Sequence, residues 1–170
     1  MTYMEFLNQV KKQLGQLEAW LQTAQSFATS KGFDANVLAG VRLAPDQFAL
    51  ARQVQIACDT AKFGFARLAG REAPSHADTE TTLDELIARI QSVSAYLRTF
   101  QESDFTEAPT RTITQPRWEG RTMTGANYFL EHVVPNFYFH LCTTYALLRH
   151  NGVPLGKRDY LGALTQQLPG

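Results

Sequence analysis

Four stretches of the chain carry apolar residues at steps of three and four, the spacing that gathers side chains on one side of an α-helix. In the first, Phe6, Leu7, Val10, Leu14, Leu17, Leu21, Ala24 and Ala28 predict a helix from about Tyr3 to Lys31, closed by Gly32. In the second, Leu50, Val54, Ala57, Ala61, Phe65 and Leu68 predict a helix that starts near Pro45, where a missing N–H costs nothing, and stops at Gly70. The third carries Leu83, Leu86, Ile90, Val93, Leu97 and Phe100 behind a Thr82 and Glu85 capping box. The fourth runs from Thr124, as N-cap, to about His150 and is roughly 40 Å long at 1.5 Å per residue. It is apolar or aromatic nearly all round, from Phe129 through Tyr138 and Phe139 to Leu148, which predicts burial on more than one side, including against a second copy of the chain. Pro135 lies well inside this helix and predicts a kink.

The segments between these helices lack a sustained period. Phe33 to Ala44 reads as a connection across one end, with a short helical turn at Ala35 to Leu38. Arg71 to Thr81 reads as a loop from its Pro, Ser and Asp content, with His76 exposed in it. Between the third and fourth helices two readings stand: a short β-hairpin pairing Thr110–Gln115 with Arg117–Met123, or an irregular loop, with Trp118 either closing a pocket or, as the first expectation, packed on the surface. The tail reads as a surface return with one short helix near Tyr160 to Gln167, and Gly152–Lys157, GVPLGK, reads as a turn because no strand precedes it. The expected fold is all-α, a four-helix bundle forming one domain over residues 1–170.

Composition narrows the function classes. With 170 residues and 44% hydrophobic content the chain can bury a full core without disulfide or metal staples. Sixteen basic and sixteen acidic side chains cancel, leaving no electrostatic footprint for nucleic acid or an anionic membrane surface. No apolar run reaches the ~20 residues of a membrane span, and no secretory leader opens the chain, so a cytoplasmic protein is expected. Cys58 and Cys142 lie inside apolar helical patterns without zinc-ligand spacing, and both read as buried hydrophobes.

The candidate chemistry sits on the fourth helix. His132, Asn136 and His140 recur at steps of four and project within a sector of roughly 80°, with Tyr128 one turn earlier on the same stripe. His132 and His140 are about 12 Å apart along the axis and do not share one ion. A metal site, with zinc or nickel as the divalent ion, therefore needs His140 with Asn136 and with Gln55 or Asp59 from the second helix. Gln55, Asp59 and Lys62 form a strip on that helix, read either as a solvated face or as the wall of a pocket. If the chain is an enzyme, His140 is the candidate acid or base; whether it is one is left open.

Two stretches, LAPDQFALARQVQIACDTAKFGFARLAG (Leu43–Gly70) and YALLRHNGVPLGKRDYLG (Tyr145–Gly162), closely resemble the uncharacterised bacterial domain-of-unknown-function family 1993. That family looks like a branch of the DinB/YfiT-like four-helix bundle superfamily of proposed metalloenzymes, usually dimers, some of which act as thiol-dependent transferases or isomerases. The resemblance implies a divalent ion held by one histidine on helix two and an H-x-x-x-H pair on helix four. Here the pair falls on Asn136 and His140, and helix two offers Gln55 or Asp59 in place of its histidine. Three functions follow as expectations: a bundle with a central pocket binding a small molecule between His132, Asn136, His140, Gln55, Asp59 and Tyr128; a homodimeric scaffold that has lost its metal; or a metal-dependent transferase or isomerase.

Overall fold

Residues 1–166 are described by the computed structural model. α1 (Tyr3–Lys31) opens on Thr2, whose hydroxyl accepts from the Glu5 N–H while the Glu5 carboxylate accepts from the Thr2 N–H, and it closes on left-handed Gly32. A 3₁₀ turn follows at Ala35–Gly40, capped by Asp34. α2 (Leu50–Ala69) begins five residues later than the expected start at Pro45. The Gln47 N–H donates to the Ala44 carbonyl and the Leu50 N–H to the Val41 carbonyl, so Pro45 takes the second place of a tight turn instead of the first turn of a helix.

α3 (Leu83–Leu97) carries the capping box read from Thr82 and Glu85, although Phe100 lies beyond its end. The connection that follows contains the hairpin reading in reduced form. β1 (Thr112–Ile113) pairs antiparallel with β2 (Met123–Thr124), Thr112 opposite Thr124, while Pro116–Trp118 turns as a 3₁₀ helix between them. Proline cannot donate to a ladder, which confines the pairing to two residues on each side. Trp118 packs edge-on against Tyr128, with ring centroids 5.9 Å apart.

The last long helix, α4, is built of Gly125–Asn127, a π-helical turn at Tyr128–Val133, and Val134–His150. The irregularity expected at Pro135 takes the form of this widened turn just upstream, in which the Val134 N–H reaches back five residues to the Phe129 carbonyl. Phe137, Leu141, Leu147 and Leu148 are fully buried, whereas Leu130 and Phe139 are 68% and 58% exposed, so within one chain α4 buries only part of its circumference. Cys58 is buried as expected. Cys142 is exposed, contrary to its reading as a core residue, because it faces outward beside the Tyr160 hydroxyl, 3.2 Å away.

α5 (Lys157–Leu161) starts earlier than the expected Tyr160, because docking on α1 sets its place: the Trp20 indole N–H donates to the Asp159 carbonyl and its ring stacks on Tyr160. Gln167, the expected end of that helix, lies outside the described residues. One cluster of buried side chains, including Phe6, Trp20, Phe65, Ile90 and Phe137, joins α1 to α4. Two close approaches leave no room for a side chain, one between α2 and α4 and one between the start of α4 and the connection before it. A β-carbon at Gly64 would stand 2.8 Å from a Val133 methyl, and one at Gly125 would collide with the Ala108 carbonyl oxygen. No described helix is long and apolar enough to cross a membrane.

Candidate functional site

Arg52, Ile56, Asp59, Thr60, Phe63 and Arg67 follow one another on α2 at helical steps and share one face of it. Tyr128, His132 and Asn136 do the same on α4. Between these faces, under the Gln115–Arg117 turn, lies a cavity of about 430 Å³. At its floor the Asn136 amide donates to the Thr60 hydroxyl at 2.6 Å, tying the two helices together.

Higher in the pocket the Arg67 guanidinium donates to the Tyr128 hydroxyl oxygen at 3.0 Å, and Arg117 donates to His132 Nε2 at 2.7 Å. A guanidinium has only donors, so Nε2 accepts and the ring proton of neutral His132 sits on Nδ1. That nitrogen is buried without a partner among the described residues, as is the Gln115 side-chain nitrogen. Burial, followed by the charges of Arg117 and Arg67, lowers the His132 pKa below the ordinary imidazole value, which keeps the ring neutral. Burial raises the Tyr128 phenol, and the neighbouring Arg67 opposes it without cancelling it.

The structure thus brings Asp59, Tyr128, His132 and Asn136 to one pocket and places Gln55 and His140 elsewhere. His140 is 7% exposed and bonds through Nδ1 to Gln53 Oε1 at 2.7 Å, past the end of the cavity. Burial, with a smaller contribution from Arg52, lowers its pKa to about 4. Gln55 points to the other side of α2, where it donates to Glu80 and accepts from Arg52.

That other side differs from the solvated strip the spacing suggested. Segment 71–82 covers it, and Lys62 and Arg89 are almost fully buried. One Asp59 oxygen is 2.7 Å from Arg89 and 3.0 Å from Lys62, and Arg89 also reaches Asp78 and Glu80. His76, expected to be exposed, is half-buried: it accepts from Lys62 at Nδ1 and donates through Nε2 to Ser92. The proton therefore sits on the nitrogen facing Ser92, and the pair lacks the free lone pair a general base needs toward a serine hydroxyl. Cys58, beneath the same network, is pushed up to about 12 by burial and is no nucleophile.

The expected metal donors do not suit a divalent ion. Gln55 Oε1 accepts from Arg52, Asp59 is held by Arg89 and Lys62, Asn136 has only a weakly ligating amide oxygen to offer, and His140 is the one imidazole of the set. Among the described residues no group of three or more His, Cys, Asp or Glu side chains converges.

The four long helices form a four-helix bundle of the DinB/YfiT-like type, the fold shared with a solved DinB family structure. The chain belongs to the family described as a domain of unknown function, DUF1993, whose model matches residues 2–161. It is similar to a DinB family member protein from Shewanella denitrificans, known from a crystal structure at 1.83 Å resolution, with 53% sequence identity and a TM-score of 0.92 over 96% of this chain and 93% of that one. No curated protein matches the chain.

Arg52, Arg67, Arg117, Thr60, Gln53 and Gln115 were absent from the residues singled out by sequence. Arg52 and Arg67 stand in the helical register of Ile56, Asp59 and Phe63, so their shared face was readable. Arg117 and Gln115 were not, because a loop without a period does not announce where it folds.

Proposed function

We propose that this protein binds a small organic molecule in the pocket between α2, α4 and the Gln115–Arg117 turn. The supporting observation is the cavity itself, whose volume of about 430 Å³ falls in the range of small-molecule sites and whose walls combine Ile56 and Phe63 with converging polar groups. His132, Asn136, Asp59 and Tyr128 belong to this reading as lining residues. His140 belongs as a support for the α2 and α4 contact through Gln53.

A ligand-observed NMR screen of a chemically mixed small-molecule library tests it, run on the natural protein and on Ile56→Trp, which puts an indole into the hollow. Compounds that bind the first and not the second are the expected result. A library without binders, or binding that persists in Ile56→Trp, returns the chain to the scaffold reading.

A further inference from the structure

We infer that the ligand of this pocket carries an oxyanion, a carboxylate or a phosphate, on a compact apolar body; the inference rests on the small-molecule reading above and specifies its chemistry. Three guanidiniums, those of Arg52, Arg67 and Arg117, line the cavity against one carboxylate, that of Asp59. Asp59 is already bound to Arg89 and Lys62, which belong to the network on the far side of α2. Arg52 has a partner in Asp78 at 2.6 Å. Arg67 and Arg117 have none: among the described residues their side-chain acceptors are the phenol oxygen of Tyr128 and a neutral imidazole nitrogen.

Two cations thus stand in one pocket without a counter-charge. A neutral acceptor satisfies a guanidinium hydrogen bond and leaves its charge uncompensated, whereas carboxylates and phosphates match the planar donor fork and its charge together. The remaining polar groups point to the same class of ligand. Gln115 is 7% exposed and its buried side-chain nitrogen donates to nothing among the described residues, and the Nδ1–H of His132 is equally without an acceptor there. Buried donors left open are rare in folded proteins, and both lie in the wall of the cavity that holds the unpaired guanidiniums. A ligand oxyanion offers acceptors to the two guanidiniums, while the Gln115 and His132 donors lie buried in the wall beside them. A cationic ligand would meet three guanidiniums and the one carboxylate of Asp59, itself already bound to Arg89 and Lys62, and a neutral one would leave Arg67 and Arg117 as they are. Ile56 and Phe63 supply the surface for an apolar remainder.

Titration calorimetry on the full chain tests the inference with benzoate and phenyl phosphate, each beside a neutral counterpart of similar shape, benzamide and benzyl alcohol. At least one of the anions is expected to bind tenfold or more tightly than its neutral counterpart, and which one does so separates carboxylate from phosphate recognition. Arg117→Ala, an exposed position whose loss does not open the core, is expected to weaken that anion about tenfold to a hundredfold, with Arg117→Lys intermediate. A second readout is independent of affinity: the bound anion should raise the pH at which the His132 ring protonates in an NMR titration. Equal binding of neutral and charged probes overturns the oxyanion and leaves the pocket standing. Anion binding that is unchanged in both Arg117→Ala and Ile56→Trp places the anion elsewhere and overturns it as well. If none of the four probes binds while the library screen yields neutral ligands, the oxyanion is again refuted; if neither yields a binder, both readings fall.

Discussion

At the scale of single residues, helical spacing located the polar stripe of α4, and the surroundings assigned each member of it a different task. His132 faces a cavity, Asn136 clamps α2, and His140 is sealed against Gln53. The last has a consequence for stability. The unfolded imidazole takes up a proton near pH 6.5, while the folded one, desolvated and near Arg52, does so only at about 4. Between those values the unfolded chain binds more protons, so stability falls as the solution is acidified from about pH 6.5. Urea unfolding at pH 7.5 and pH 5 is expected to show this loss, about 1–3 kcal/mol, and His140→Gln is expected to reduce it by most of that amount. An unchanged pH dependence in the variant would mean that His140 is solvated.

The helices themselves follow from local chemistry: a capping box at each of Thr2 and Thr82, glycine stops at Gly32 and Gly70, and apolar residues at helical steps. What local chemistry did not contain is how closely two helices approach. Gly64 on α2 lies under the β-branched, rotationally stiff Val133, inside the π-turn of α4, with no room for a methyl group. Gly64→Ala is therefore expected to destabilise the protein by about 1–3 kcal/mol despite alanine's better helix propensity. A midpoint of urea denaturation that stays the same or rises would show that the helices do not touch there. The pocket depends on the same contact, because Asn136 meets Thr60 one turn away from Gly64 along α2.

Across the whole molecule, a buried ionic cluster joins α2, α3 and the 71–82 segment. Arg89 is its hub, 2% exposed and paired with Asp59, Asp78 and Glu80. Burial raises the Asp78 and Glu80 pKa values, but hydrogen bonds and charge, Arg89 contributing to both, outweigh it and hold each below the usual carboxylate range. Replacing the hub leaves Glu80 without an ion-pair partner among the described residues and leaves Asp59 and Asp78 with Lys62 and Arg52 alone, so Arg89→Met is expected to cost about 3 kcal/mol, toward the low end for a broken buried pair because the carboxylates keep these partners and still reach water. Chemical denaturation measures it, and a neutral substitution would show the cluster to be dispensable.

Helix number, most helix ends, the apolar core and the one-face stripe Tyr128, His132, Asn136 and His140 were determined by the sequence alone, because period, caps and glycines act within a few residues of themselves. The start of α2 was not, since the turn at Pro45 is held by a bond from Leu50 to Val41. Nor was the fate of Gln55, Asp59 and Lys62, for a strip of polar side chains on a helix looks the same whether water or another segment lies over it. Tertiary structure alone decided that segment 71–82 buries that strip and that the Gln115–Arg117 turn completes the pocket. Those contacts join residues more than ten positions apart, where no local pattern records the pairing and only the packing of the bundle fixes it.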